Sequence, residues 1–249
     1  MKAGRTTLAG SRNCTLFLDH DGVMNHRAWL KTVNWSKGPK DDDLLWGSTE
    51  FTQGEIEWWA SMVDPAKVAI LNRITDETGC WIAVSSTWRL NLGLTGLEAL
   101  YKCVGITGKL AGHTPGLGDF GRGAEIATFL WELLYHSKGR ACAIEGLAKQ
   151  AIAVVDDDPA DMRCLRSRLT TTTMENGLTE KHALRIIKHL RTPIGPRLAD
   201  RIYSLAANTE RYAPQGHFPH DADSTGCVPD PAGAAARRAA LKERIRFSE

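Results

Sequence analysis

Two aspartates with one residue between them, Asp19 and Asp21, end an apolar run in the stretch LFLDHDGVMN. Carboxylates this close repel each other unless something positive sits between them. A second polar cluster, Ser85, Ser86 and Thr87, ends the run CWIAV. A third, Asp156, Asp157 and Asp158, ends AIAVV, and Asp161 follows soon after. Brought together, these groups suit one chemistry. Oxygen donors hold hard Mg²⁺. A carboxylate can attack phosphorus and form an aspartyl-phosphate. A second carboxyl nearby can protonate the leaving alcohol and then activate water. Taken singly, the clusters say less. Asp19 and Asp21 alone also read as a solvated turn or the metal-holding pair of a sugar-nucleotide transferase. Asp156 to Asp158 alone also read as an acidic helix N-terminus favoured by the helix dipole.

The elements that precede the clusters argue for convergence. Residues 14–18, 80–84 and 151–155 are unbroken apolar runs, as expected of parallel strands covered on both faces. Helical patterns alternate with them. One starts at the N-cap Asp64 with Pro65 in first position, presents Val68, Leu71 and Ile74, and stops at Gly79. Others are expected from about Thr95, over residues 124–135, and after the N-cap Thr179, with Leu184, Ile187 and Leu190 on one face. This alternation predicts an α/β fold, a Rossmann-like three-layer sandwich with a mainly parallel sheet. In such a sheet the carboxyl ends of all strands share one edge, where ligands bind.

The intervening segments are less regular. Residues 24–62 mix Trp29, Trp35, Trp46, Trp58 and Trp59 with charges and glycines and read as a small insert. They show no second apolar pattern large enough for a cap domain, and Trp58 and Trp59 are expected to pack a sub-core. The run Asp41 to Trp46 reads as an exposed charged edge. Residues 105–123 are glycine-rich and read as a loop. Within it GLGDFG matches the dinucleotide pattern only formally, because no clean apolar run lies next to the glycines. Residues 1–13 read as an N-terminal extension, 14–192 as the domain, and 193–249 as an extended or disordered tail with a short terminal helix. The tail's His217, His220, Asp221, Asp223 and Cys227 match no tight zinc spacing.

Bulk properties bound the class. A chain of 249 residues with 43% hydrophobic content suits one sizeable domain with appendages. A net charge of +2 lacks the basic excess of a protein living on nucleic-acid backbones, yet leaves a local basic groove open. Six cysteines form no C-x-x-C pair, which favours reduced thiols in a cytoplasmic protein. The first residues lack the apolar core of a signal peptide. No window approaches the ~20 apolar residues of a membrane span. The expectation is a soluble chain with no membrane partner, and nothing marks a stable protein partner.

The motif order resembles the haloacid dehalogenase-like (HAD-like) phosphohydrolases. LFLDHDGV matches their apolar strand followed by D-x-D-G, and WIAVSSTWR their strand ending in Ser or Thr. GRGAEI offers a cation at a helix start, and AVVDDDPADM their acidic strand end. More narrowly, VSSTWR, GRGAEIATFLW, AVVDDDPADM and TTTMENGLTEKHALRIIKHL resemble the HAD-like domain of Swiss Army Knife RNA-repair proteins, over roughly residues 14–190.

That resemblance implies roles. Asp19 is the nucleophile and Asp21 the general acid/base. Ser85, or Ser86 in its place, holds the phosphoryl group, and Arg122 neutralises its charge. Asp157 ligates Mg²⁺ with the Asp19 side chain and the Asp21 carbonyl, supported by Asp156 and Asp161. Gly22 joins Ser86 and Arg89 as substrate-binding positions, although Arg89 reads equally as a salt-bridge partner. Trp88 reads as core packing, with base stacking the rarer fate. The implied substrate is a nucleotide or a nucleic-acid terminal phosphate, and the insert sits where cap elements shape specificity. His20 is unusual between the aspartates and is expected to face away from them. Arg122 stands where the family has lysine or arginine; it can grip phosphate bidentately but does not readily lose its proton. Open alternatives are a non-catalytic nucleotide- or partner-binding protein, a phosphotransferase and a small-metabolite phosphatase.

Overall fold

Apolar runs that cannot face water on either side become the strands of a covered parallel sheet. The computed structural model describes residues 14–37, 51–134, 139–160 and 162–212. Strands β1 (Cys14–Leu18), β2 (Trp81–Val84), β3 (Lys109–His113), β4 (Ala151–Asp156) and β5 (Leu169–Thr171) form one all-parallel sheet in the order β3-β2-β1-β4-β5. Helices α1 (Arg27–Leu30), α2 (Gln53–Ser61) and α3 (Pro65–Thr78) lie between β1 and β2, and α4 (Trp88–Val104) between β2 and β3. Helices α5 (Gly121–Leu134) and α6 (Arg140–Ala148) lead to β4, and α7 (Glu180–Leu190) and α8 (Gly195–Tyr212) follow β5.

Period-two alternation along the strands splits the core into two layers. Leu16, Leu18, Ile82, Val84, Ala153 and Val155 face one side, against Leu71 and Ile74 of α3 and Ile186 and Leu190 of α7. Phe17, Ala83, Ile152 and Val154 face the other, against Ile126 and Leu130 of α5, Leu147 of α6 and Ile202 of α8. Each such aliphatic side chain contributes roughly 1.5–3 kcal/mol on burial. The expected three-layer α/β sandwich is therefore the observed one. The helix signals also hold. Asp64 Oδ1 accepts from the Ala66 N–H at 2.8 Å, and Gly79 closes α3 at φ 64°. Thr179 and His182 cap α7 reciprocally.

Several expectations change. Helix α4 begins at Trp88, directly after the serines, rather than near Thr95. A break at Gly93 (φ 55°, ψ −169°) separates its first turns from the stretch that shows clear periodicity. The glycine-rich segment 105–123 contains β3, an edge strand only partly buried, so it lacks the continuous apolar run of the central strands. Strand β5 is the other edge and only three residues long. Leu184 is 63% exposed, and α7 instead buries Ala183, Ile186, Ile187 and Leu190. The insert's Leu30, Ile56 and Trp59 join the main core instead of forming a separate one.

Residues 195–212, composed like a tail, form α8, which buries Leu198, Ala199, Ile202 and Ala206 against α5 and α6. Its apolar positions are spaced for one face, and the surrounding Pro, Arg and Asp masked them. The N-terminal extension, Asp41 to Trp46, and the rest of the tail with its His217 to Cys227 cluster lie outside the described residues. Cys80, Cys103, Cys142 and Cys164 are free thiols. No described helix is long and apolar enough to cross a membrane.

Candidate active site

The strand ladders continue one residue past the strands and so fix the start of each loop. Asp19 N–H donates to Val155 O (3.1 Å), Ser85 N–H to Leu18 O (2.9 Å), Thr114 N–H to Val84 O (2.9 Å) and Thr172 N–H to Asp156 O (3.0 Å). Asp19, Ser85 and Asp156 are thereby brought to one sheet edge. The turn after Asp19 wraps the His20 carbonyl, which accepts from the N–H groups of Val23, Met24 and Asn25. This turn needs glycine. Gly22 has φ +67°, and a Cβ there would stand 2.4 Å from Asp157 Oδ2. Gly22's own groups are engaged: its N–H donates to Asn25 Oδ1 (2.9 Å), and its carbonyl accepts from Thr172 Oγ1 (2.7 Å). Its contribution is room for Asp157, not a contact to substrate.

Asp19, Asp156 and Asp157 each offer a carboxylate oxygen, and these atoms lie within 4.8 Å of one another. Arg122, in the first turn of α5, donates from one guanidinium nitrogen to Asp19 Oδ1 (3.0 Å) and Asp156 Oδ2 (3.2 Å). Burial opposes the Arg122 charge, but Asp19 and Asp156 outweigh it and hold the guanidinium above its ordinary pKa. Burial, then Asp19, pushes Asp156 well above the carboxylate range, against the opposing pull of Arg122. Three carboxylates beside one arginine leave net negative charge in a mostly buried place. All-oxygen donors in that state fit a hard divalent cation.

Asp21 is held differently. Its Oδ1 accepts from Asn25 Nδ2 and its Oδ2 from Trp88 Nε1, both at 3.0 Å. Burial and Asp19 raise its pKa to about 6, while the bonds from Asn25 and Trp88 pull it down. Trp88 is itself clamped. Its ring stacks on His20 (centroids 4.8 Å apart, planes at 13°) and lies 4.9 Å from Trp59. Trp88 is therefore core, and it also orients Asp21. His20 is fully buried between Trp88 and Tyr101, away from water, and burial lowers its pKa to about 4. Neither Asn25 nor Trp88 was assigned this role by sequence. Asn25 stands four residues after Asp21, a spacing that allows it, but Trp88 is 67 residues away and carries no such signal.

The two serines separate. Ser86 Oγ accepts from the Trp88 N–H at 3.3 Å, at the start of α4. Ser85 Oγ is buried and has no hydrogen-bond partner among the described residues. Arg89 is not a phosphate grip. It is 4% exposed, and all five of its N–H donors are engaged within the protein. They reach the carbonyls of Ser85, Ser86, Thr114 and Pro115 and the Glu125 carboxylate (2.7 Å). Glu125 was missed by sequence; its other oxygen accepts from the Leu117 N–H at 3.1 Å. Asp161 lies outside the described residues.

Over residues 15–183 the chain matches the family described as the HAD domain in Swiss Army Knife RNA repair proteins. The chain belongs to that family. No curated protein and no solved structure matches it. As a HAD domain of the Swiss Army Knife kind, it is a hydrolase of the HAD type with an aspartate cluster suited to a divalent ion.

The raised carboxyls of this HAD domain make its stability pH-dependent. A carboxyl whose folded pKa lies above its unfolded value keeps its proton longer in the native state. It penalises folding increasingly as pH rises from the unfolded to the folded value. For Asp21 that window runs from 3.8 to about 6, and Asp156 extends it upward. The metal-free protein is expected to melt at a lower temperature at pH 8 than at pH 5, with Asp21→Asn flattening the slope. Added Mg²⁺ should raise the melting temperature more at pH 8, because cations and protons compete for the same oxygens. Thermal melts across pH with and without Mg²⁺ check this; a metal response independent of pH contradicts it.

Proposed function

We propose that this chain is a Mg²⁺-dependent phosphomonoesterase acting through an aspartyl-phosphate, on a nucleotide or a nucleic-acid terminal phosphate. The observation that carries the reading is the division of labour between two neighbouring carboxylates. Asp19 is bridged by Arg122 into the cluster with Asp156 and Asp157, while Asp21 is held by Trp88 and Asn25 and burial raises its pKa to about 6.

Asp19 attacks phosphorus in line, and the bond from phosphorus to the leaving oxygen breaks. Asp21 gives its proton to that oxygen. As a carboxylate it then takes a proton from water, whose oxygen attacks the aspartyl-phosphate and frees Asp19 and inorganic phosphate. A general acid/base works best with a pKa near the operating pH, and Asp21 at about 6 meets that need. Arg122 and the Ser85 hydroxyl, which has no partner among the described residues, face the developing charge on the phosphoryl oxygens. Asp19, Asp157 and the Asp21 carbonyl would hold Mg²⁺, with Asp156 and Asp161 in support. Held there, the ion would supply positive charge against the phosphoryl oxygens and the anionic nucleophile.

The deciding experiment is a substrate panel in Mg²⁺ and in EDTA: a chromogenic phosphate ester, small sugar phosphates, free nucleotides, and oligonucleotides carrying a 3′- or 5′-phosphate. Release of inorganic phosphate from the ester in Mg²⁺ but not EDTA is expected, with higher kcat/KM on nucleotides or oligonucleotide ends. No turnover of any member in Mg²⁺ leaves the non-catalytic reading. Preference for small sugar phosphates replaces the substrate class. Transfer to an added alcohol in place of water identifies a phosphotransferase.

A further inference from the structure

A second charged feature lies away from the aspartate cluster. A cleft of about 510 Å³ opens between α7 and α8, and Arg168, Lys188, Arg197 and Arg201 line it together with the apolar Ile194 and Leu198. No aspartate or glutamate is among its lining residues. Its place is the amino-terminal edge of the sheet. The Ile194 N–H donates to Gln150 O (2.8 Å) just before β4, and Arg168 immediately precedes β5. Asp19 and its partners stand at the carboxyl ends of the strands.

Arg168 is the fixed floor. It is 9% exposed and donates to the carbonyls of His189 (3.1 Å), Thr192 (2.7 Å) and Pro193 (2.6 Å), tying the end of α7 to the start of α8. Lys188, Arg197 and Arg201 are exposed and form no ion pair among the described residues. Arg197 and Arg201 are four residues apart on α8 and so share a face. The basic track continues to Arg166, exposed beside Ser167 at the rim and next to the turn against which α8 packs. Like charges gathered without counter-ions repel, and an anion relieves that repulsion.

We propose that this cleft binds the phosphodiester backbone of a nucleic-acid strand. Arginines suit phosphate oxygens, which they grip with paired N–H donors. The cations come from both α7 (Lys188) and α8 (Arg197, Arg201), with Arg168 bonded to the residues that join them. Contacts to phosphate oxygens position a strand and carry no sequence information. The modest net charge of +2 conceals this local concentration.

The test uses the full chain and a fluorescent single-stranded RNA with hydroxyls at both ends, which offers the aspartate cluster no terminal phosphate. Binding is read by anisotropy across a salt series. The double variant Arg197→Glu/Arg201→Glu is expected to bind at least about tenfold more weakly, equally for RNAs of different sequence. The slope of log affinity against log salt should become shallower by about 1–2. Turnover of the small chromogenic ester should stay within about twofold of the parent. Unchanged RNA affinity and salt slope in the double variant overturn the proposal, including where inorganic phosphate alone is seen to bind the cleft. If the double variant melts early, Lys188→Glu and Arg166→Glu carry the same comparison.

Discussion

Asp19→Asn is expected to abolish phosphate release while leaving the fold intact. The amide matches the carboxylate in shape, can still accept from Arg122 through its oxygen, and removes one negative charge from a buried cluster of three. It cannot act as the nucleophile, so no aspartyl-phosphate forms. Loss of a nucleophile in an enzyme whose residues act as a unit costs at least about a thousandfold in kcat. The measurement pairs single-turnover phosphate release in Mg²⁺ with a thermal melt. The parent, quenched in acid, should carry added phosphoryl mass on the peptide containing Asp19, and the variant none. Turnover equal to the parent with an unshifted melt would sink the mechanism.

Arg89 carries the largest expected effect on stability. Replacing it by methionine leaves Glu125 buried without its counter-ion and strips donors from the carbonyls of Ser85, Ser86, Thr114 and Pro115. Breaking a buried ion pair from one side costs about 3–5 kcal/mol. In a domain of this size that lowers the melting temperature by about 10 °C. Arg89→Lys should recover little, because one ammonium cannot serve four carbonyls and a carboxylate from a single point. The double change Arg89→Met/Glu125→Leu should lose less than Arg89→Met alone, since no charge is left unpaired. The competing view, a side chain that grips substrate phosphate, predicts the reverse pattern. KM would rise while the melting temperature stayed put.

Arg89 also shows where reading a sequence stops. A charged residue after a serine-rich strand end looks like a phosphate ligand, and its type alone cannot say otherwise. Its burial, with every donor aimed at protein oxygens, depends on how the segments after β2 and β3 close over it beside Glu125 of α5. Gly22 is similar. Its need for a positive φ is local, but the reason no side chain fits is Asp157, which is 135 residues further on.

The central strands, the caps of α3 and α7, and the order of the acidic and hydroxyl strand ends were determined by sequence alone, because each is a property of neighbouring residues. A continuous apolar run must be covered on both faces, and once three such runs are parallel their ends meet at one edge. Edge strand β3 was hidden because half-burial leaves no unbroken apolar run, β5 because it is only three residues long, and helix α8 because Pro, Arg and Asp surround its apolar face. Tertiary structure alone decided which polar groups are spent and which remain for chemistry. It placed Trp88 on Asp21, gave Arg122 to both Asp19 and Asp156, consumed Arg89 and Ser86 in framework bonds, and left the Ser85 hydroxyl without a partner among the described residues. Apart from the local Ser86 bond, these are contacts between residues tens of positions apart. Their energies depend on distance and burial, which one-dimensional spacing does not contain.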